Sequence, residues 1–211
     1  MPTAYPPLAI SSREHVLFVG LTQTGKTTLA HKLLQGYMRD QTLLIAVINS
    51  KGDDQVNAWV PRVLQPKHVP QTGGGLVQLR HDVTREDREA VLDPLWRRGN
   101  VIVWVDELPL VGDESWSPLA LQRMYTAGSR RGIGVWALTQ DPVSIPMKAK
   151  SQATHFFCFQ VGEDEYVKKV ARLLRQVPDA FQRQMDALPQ HGCLYWCRAY
   201  GAMRLPPRRV A

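Results

Sequence analysis

Nine residues near the N-terminus have the types and spacing needed to hold a nucleoside triphosphate. They fit the pattern G-x-x-x-x-G-K-[ST], and a short apolar run precedes them. Glycines let the backbone wrap closely around phosphates, and the N–H groups that open the following helix point at them. The Lys26 ammonium is expected to reach the β- and γ-phosphates, and the Thr27 hydroxyl to bind Mg²⁺. The motif therefore predicts a site for ATP with Mg²⁺ formed by Gly20, Leu21, Thr22, Gln23, Thr24, Gly25, Lys26, Thr27 and Thr28.

Two acids stand at the end of an apolar run about eighty residues further on. Val101–Val105 is followed directly by Asp106 and Glu107, which is the Walker B pattern. Asp106 is predicted to hold Mg²⁺, directly or through water. Glu107 is predicted to be the general base that activates the attacking water, so the pair indicates hydrolysis of ATP. A solvated acid at the end of a strand is the alternative for Glu107.

A glutamine and a pair of arginines complete the candidate catalytic set. Another apolar run ends at Gln140, whose amide can hydrogen-bond both a phosphate and a water, so it is a candidate sensor of the γ-phosphate. Arg130 and Arg131 precede that run, and either could stabilise charge in the transition state, usually from a neighbouring subunit. Arg97 and Arg98 are rivals for this role. An exposed helix end is the alternative for each of the four arginines.

The elements that must position these residues alternate along the chain. Apolar runs of strand length are separated by segments whose apolar residues recur at helical spacing. The pattern predicts a mostly parallel sheet with helices on both faces, the three-layer α/β arrangement of P-loop NTPases. The predicted strands are 15–20, 43–49, 76–80, 101–107, 134–140, 155–161 and an edge strand at 193–200, and the predicted helices are 26–39, 84–98, 118–131, 163–175 and 178–188. Residues 54–75, rich in Pro, Gly and Gln, are predicted to be irregular.

The chain has 211 residues, enough for one well-buried domain. We predict an N-terminal extension at 1–12, a single P-loop ATPase domain at 13–203 and a basic C-terminal tail at 204–211 that is extended and exposed. No apolar run approaches the roughly 20 residues of a transmembrane helix, and the N-terminus lacks the layout of a signal peptide. We therefore expect a cytoplasmic protein (in the host cytoplasm if the gene is viral), with association with the virion as the alternative.

The charge of the chain indicates the class of partner, and its cysteine content bears on disulfides and metal binding. The formal net charge is +7, which suits a polyanion such as nucleic acid. Candidates for contacts with DNA phosphates are Lys51, Lys148 and Lys150, together with Arg62, Lys67 and Arg80, and an ordinary solvated side chain is the alternative for each. Three cysteines do not make a disulfide framework. Cys193 and Cys197 share one side of a predicted strand and are better explained as core residues than as a zinc site.

Four separated motifs together resemble the FtsK–HerA superfamily of DNA-pumping ATPases. They are the Walker A segment, Ser50-Lys-Gly-Asp53, Trp104-Val-Asp-Glu107, and the stretch from Ser129 to Pro142, in which an arginine pair and Gly-Ile lead into a strand ending in Thr-Gln. The resemblance extends over roughly residues 15–175. A core of this size, without additional domains, is similar to the genome-packaging ATPases of internal-membrane bacteriophages and archaeal viruses.

The resemblance implies a ring, most often a hexamer, that threads double-stranded DNA into a preformed capsid without reading its sequence. It also implies a sensor role for Gln140, an arginine acting in trans (Arg130 or Arg131), and capsid or membrane vertex proteins as further partners. Three alternatives stay open: an ATPase for conjugation or plasmid mobilisation in the same superfamily, a P-loop NTPase that docks a protein partner without moving DNA, and a small-molecule kinase. A kinase would need an arginine-bearing lid, for which no signature is present.

Overall fold

The computed structural model describes residues 10–79, 84–162, 164–199 and 201–205, the last of these as backbone only. Its centre is a sheet built from strands β1 (Val16–Val19), β2 (Leu44–Ile48), β3 (Val63–Leu64), β4 (Gly75–Leu79), β5 (Val101–Val105), β6 (Ile133–Thr139), β7 (His155–Cys158), β8 (Cys193–Cys197) and β9 (Gly201–Leu205). The helices are α1 (Lys26–Gln35), α2 (Asp54–Trp59), α3 (Arg85–Arg98), α4 (Leu119–Ala127), α5 (Met147–Gln152), α6 (Asp164–Leu173) and α7 (Pro178–Asp186).

The strands of the described chain lie in the order β3-β4-β2-β5-β6-β1-β7-β8-β9. Neighbours from β3 to β7 pair in parallel, whereas β8 is antiparallel to both β7 and β9. The strand that leads into the Walker A segment, β1, is therefore central, and β6 separates it from β5, which leads into Asp106. Because the strands are parallel, the carboxyl ends of all three meet at one edge of the sheet, where ligands bind in such folds.

Alternating side chains divide the core into two layers, one on each face of the sheet. Leu17 and Val19 point into the layer formed with α3 to α7, whereas Val16 and Phe18 point into the layer formed with α1 and α2. The same two-residue alternation runs through β2, β5 and β6. Both faces of the parallel strands are thus buried, which explains why these strands read as continuous apolar runs. The predicted three-layer α/β architecture is confirmed.

Local signals account for how well several helices match their predicted bounds. Thr84 caps α3 as expected, since its hydroxyl accepts the Asp87 N–H at 3.1 Å, and Gly99 follows the last residue of the helix. The predicted helix 118–131 is shorter: α4 ends at Ala127, and Gly128–Arg131 forms a 3₁₀ turn. Strand β7 ends three residues earlier than predicted, at Cys158.

Three expectations about less regular segments need correction. Residues 54–75 are not all irregular, because they contain the short helix α2, strand β3 and a 3₁₀ turn at Pro66–His68. Strand β8 is not at the sheet edge, because β9 pairs with it. Residues 204 and 205, predicted to open an exposed tail, belong to β9. Residues 1–9, Glu163 and 206–211 lie outside the described residues, and the proposed division into extension, domain and tail stays a prediction.

Within the part of the chain that the structure describes, no helix has the length and apolar character needed to cross a bilayer. The three cysteines are buried and free. Cys193 and Cys197 point into the same core layer, as their spacing predicted.

Candidate nucleotide-binding site

The Walker A segment forms a loop across the carboxyl ends of three adjacent strands. The Gly20 N–H donates to the Thr139 carbonyl at 3.2 Å, and the Leu21 N–H donates to the Gln160 carbonyl at 2.8 Å. These bonds attach the loop to the ends of β6 and of β7. At Gly25, φ is +102°, a left-handed conformation that glycine adopts without strain, and α1 begins at the next residue. The first N–H groups of α1 therefore face the loop, where they can bind phosphate.

The Lys26 side chain is held in place by the backbone of the Walker A loop. Its side chain is buried, and Nζ donates to the carbonyl oxygens of Gly20 at 2.7 Å and Leu21 at 2.6 Å. Burial lowers the pKa of Lys26 to about 8, assisted by the charge of Lys51 and opposed by Glu107 and Asp106. A phosphate would replace the two carbonyls as the partner of the ammonium and satisfy its charge more completely.

Asp106 offers an oxygen without a partner. The residue is 1% exposed, its N–H donates to the Ile48 carbonyl at 3.1 Å, and Oδ2 has no hydrogen bond within the described chain. Burial raises the pKa of Asp106 to about 6, against the attraction of Lys51 and with smaller effects of other neighbours. A buried carboxylate oxygen without a donor is suited to a hard cation such as Mg²⁺. Thr27, in the first turn of α1, supplies the hydroxyl expected on the other side.

Both carboxylate oxygens of Glu107 are engaged. Oε1 accepts the Gln140 backbone N–H at 3.1 Å, and Oε2 lies 2.6 Å from the Lys51 ammonium. The Ser50 hydroxyl bonds both the N–H and the carbonyl of Glu107, each at 3.1 Å. The carboxylate is therefore fixed at the edge of the sheet, between the end of β2 and the end of β6.

Gln140 connects the Walker A loop with the Walker B strand. Its backbone N–H binds Glu107, and its side-chain oxygen accepts the Thr22 hydroxyl at 2.8 Å. The strand order makes this possible, because β6 lies between β1 and β5. A phosphate that attracted either Thr22 or the Gln140 amide would disturb the hydrogen bonds of Glu107 as well. The sensor role of Gln140 stays a prediction.

A cleft of about 420 Å³ lies over this edge of the sheet. Its lining contains six of the predicted nucleotide-binding residues and Gln140, and also five residues that the sequence does not predict there: Lys51, Asp53, Gln55, Leu138 and His191. His191 lies in the turn before β8 with φ at +61°, and its Cβ and Nδ1 approach Gly25. No local motif marks His191, since the fold alone brings this turn to the loop. From the sequence, Lys51 is predicted as a DNA contact and belongs to the motif Ser50-Lys-Gly-Asp53, but no role at the nucleotide is predicted for it.

The two candidate arginines lie far from their own cleft. They precede β6, whereas Gln140 follows it, so the seven residues of the strand separate them by about 20 Å. Arg131 donates to the carbonyls of Trp96 and Arg97 at 3.0 and 2.7 Å, and its guanidinium lies over the Trp96 ring. Arg130 is exposed and makes no hydrogen bond or ion pair with other described residues. Neither can reach the cleft of its own chain, and an arginine that acts in trans stays a prediction.

The remaining candidates for DNA contacts are spread over the surface. Lys150 pairs with Glu114 and also donates to the Val143 carbonyl at 2.5 Å. Lys148 is exposed beside a second cleft, of about 660 Å³, which contains none of the predicted nucleotide-binding residues. Arg62 and Lys67 are exposed as well, and Arg80 lies outside the described residues. The DNA contacts thus stay predictions.

Comparisons with known proteins show similarities in sequence and in fold. No model of a known protein family matches the chain. The DNA packaging ATPase P9 of Enterobacteria phage PRD1 is 28% identical over 163 residues, which cover 72% of this chain and 66% of that protein. The genome packaging NTPase B204 of Sulfolobus turreted icosahedral virus 2, in complex with ATP-gammaS, superimposes with a TM-score of 0.75 at 12% identity, covering 94% of this chain and 99% of that one. VirB4 of Thermoanaerobacter pseudethanolicus superimposes with a TM-score of 0.68 at 10% identity, covering 93% and 90%.

These similarities differ in what they establish. At 12% and 10% identity, the likeness to B204 and VirB4 shows the fold alone. The similarity to P9 is one of sequence, although the chain spans just under two thirds of that protein's length. Together with the motifs, the comparisons confirm the predicted resemblance to packaging ATPases of the FtsK–HerA type.

Proposed function

We propose that this chain hydrolyses ATP to drive double-stranded DNA into a preformed viral capsid. The observation that carries the proposal is that Lys26 and Gln140 line one cleft, while Glu107 accepts the Gln140 N–H and the buried Asp106 directly precedes Glu107. These groups supply a phosphate-binding lysine, a cation ligand, a base and a γ-phosphate sensor. We infer DNA as the polymer and packaging as the function from the sequence similarity to a DNA packaging ATPase.

The residues of the cleft divide the work of hydrolysis among them. The Walker A loop and Lys26 bind the β- and γ-phosphates, and Thr27 and Asp106 would hold Mg²⁺, which would neutralise negative charge there. Glu107 accepts a proton from the water that attacks the γ-phosphorus. Gln140 links the γ-phosphate to the position of Glu107 through its two hydrogen bonds. Loss of the γ-phosphate then changes the contacts of the base.

We further propose that the chains act as a ring in which one chain completes the site of the next. Arg130 and the cleft are about 20 Å apart, because the whole of β6 lies between them. This separation supports an arginine that acts in trans. A hexamer is the ring size that the family resemblance implies. Basic side chains on the ring would hold DNA phosphates without reading bases, which makes the grip dependent on salt.

An ATPase for conjugation or plasmid mobilisation is the second candidate, because the motifs of this chain resemble a superfamily that also contains such ATPases. Both candidates move a polymer, and both differ from a nucleotide switch that only docks a protein. Capsid or membrane vertex proteins as partners belong to the first candidate alone. A pool of the protein bound to capsids in infected cells would separate the two motors.

Steady-state ATP hydrolysis with and without long double-stranded DNA tests the proposal. We expect turnover that DNA stimulates at low salt and that loses this stimulation as salt increases. Glu107→Gln should retain ATP and lose turnover, and it serves as the control for contaminating hydrolases. Turnover by this variant at the wild-type rate would reject the assigned base. If DNA does not stimulate ATP hydrolysis by the assembled protein at any salt concentration, the chain is not a DNA motor, and an NTPase that docks a protein partner is favoured.

A further inference from the structure

The Lys51 side chain faces two partners at once. Its ammonium lies 2.6 Å from Glu107 Oε2, and the side chain is 30% exposed. Lys51 also lines the nucleotide cleft together with Lys26. It is therefore the second ammonium directed at the space that a triphosphate would fill, and the residue whose position decides whether Oε2 is available.

The loop that carries Lys51 is held firmly. The Asn49 side chain bonds both the N–H and the carbonyl of Asp53, at 2.9 and 3.0 Å, and closes the loop at its base. Asp53 in turn caps α2 by accepting the N–H of Gln55 at 2.8 Å. Between them, Gly52 has φ of +70°, a conformation that glycine permits. With Ser50 bonded to the Glu107 backbone, the loop keeps Lys51 beside both the base and the cleft.

We propose that Lys51 is a second phosphate-binding lysine, which leaves Glu107 for the γ-phosphate of ATP and so frees Oε2 to accept a proton. The inference rests on the proposed ATPase function. A γ-phosphate carries more negative charge than a carboxylate and offers more acceptor oxygens, so it competes well for an ammonium on a flexible stem. ADP lacks the γ-phosphate and would leave the Lys51–Glu107 pair intact.

The reaction balances with this assignment. The water oxygen bonds to the γ-phosphorus, its proton passes to Glu107 Oε2, and the bond between the γ-phosphorus and the bridging oxygen breaks to leave ADP and phosphate. Lys51 takes no part in bond making, and its contact with the γ-phosphate opposes the negative charge there. The pKa of Lys26, lowered chiefly by burial and next by the Lys51 charge, supports the view that both ammonium groups share one space.

The test compares the affinities for Mg²⁺-ADP and for Mg²⁺ with a non-hydrolysable ATP analogue, by calorimetry, in wild type, Lys51→Gln and Lys51→Arg. We expect Lys51→Gln to bind the ATP analogue about 10- to 100-fold more weakly, the range for a hydrogen bond to a charged group. ADP affinity should change less than about twofold, and Lys51→Arg should restore part of the discrimination. Lys168→Gln, which removes an exposed lysine of α6 outside the cleft, is the matched control.

Several outcomes would overturn the inference. If Lys51→Gln loses affinity for ADP and for the ATP analogue equally, or loses affinity for neither, Lys51 does not contact the γ-phosphate. Weaker DNA binding with unchanged nucleotide affinity would make Lys51 a DNA contact instead. If Lys51→Gln does not fold, the test uses Glu107→Gln, made alone and made together with Lys51→Arg. The affinity for ATP should rise when Glu107→Gln is made alone and should rise less when it is added to Lys51→Arg. Equal rises in affinity would reject the coupling between Lys51 and Glu107. A wild-type protein that neither binds nor hydrolyses ATP would reject the proposed function itself.

Discussion

Acidification should destabilise this protein through one buried histidine beside the strand that carries the Walker A loop. His15 immediately precedes β1, is 6% exposed, and accepts the Val135 N–H on Nδ1 at 3.0 Å. Its ring packs edge-on against Tyr125 at 5.1 Å. Burial lowers the pKa of His15 to about 4, against smaller opposite effects of a hydrogen bond with the Tyr125 backbone and of the Glu14 charge. A proton on Nδ1 would also break the bond with Val135.

The expected loss of stability follows from the two pKa values. In the unfolded chain the pKa of His15 returns to 6.5, so between pH 6.5 and 4 the unfolded state binds a proton that the folded state does not. The contribution of neutral His15 is therefore complete above about pH 6.5 and declines as the pH falls toward 4. Between pH 7 and pH 4.5 this amounts to about 2 kcal/mol. For a chain of this size, such a loss lowers Tm by roughly 4–8 °C.

Thermal and urea unfolding of wild type and His15→Asn, from pH 7 to pH 4.5, checks the value. Asparagine can still accept the Val135 N–H but does not titrate, so this variant should begin less stable and lose about 2 kcal/mol less on acidification. The comparison between variants matters because burial also lowers the pKa of His155. His68→Asn, on the exposed surface, serves as the control and should follow wild type. Parallel stability curves for wild type and His15→Asn would refute the reasoning.

Other substitutions test the geometry of the site. Gly20→Ala should destabilise the protein by about 1–3 kcal/mol and impair nucleotide binding, because a Cβ there would lie 2.6 Å from the Phe159 Cβ; wild-type unfolding would contradict this. His191→Gly, which keeps the left-handed backbone at φ +61°, should weaken ADP and ATP several-fold and equally in a binding titration, and unchanged affinities would remove His191 from the site. Arg131→Ala should lower the free energy of unfolding by about 1 kcal/mol by losing two bonds to backbone carbonyls, whereas Arg130→Ala should leave unfolding unchanged and reduce turnover of the assembled protein. Equal effects of Arg131→Ala and Arg130→Ala on the free energy of unfolding would contradict the different roles assigned to the two arginines.

Motifs that act locally could be predicted from the sequence. The Walker A segment can be recognised because its glycines, lysine and threonine fall within eight residues of the chain. The apolar runs of β1, β5 and β6 are continuous because both faces of those strands are buried. Once the strands are known to be parallel, the meeting of their ends at one edge follows. The sequence therefore predicted the layered architecture and the position of Asp106 and Glu107 at the end of a central strand.

Contacts that depend on the tertiary fold could not be predicted in the same way. Lys51 and Glu107 follow different strands, β2 and β5, and nothing in either local sequence reveals that the two side chains pair. His191 reaches the cleft only because β8 turns back beside β7. The short helix α2 has six residues, too few to display a helical period, and β9 is defined by pairing with β8 more than by its own composition.

The separation of Arg130 from the cleft along β6 has a consequence for when ATP is consumed. If each chain carries one half of a site at either edge of its sheet, a dispersed chain holds nucleotide with only the slow turnover of an incomplete site. The rate per chain should then rise with protein concentration until assembly is complete. Dispersed chains would then consume little ATP, and hydrolysis would begin only where chains assemble.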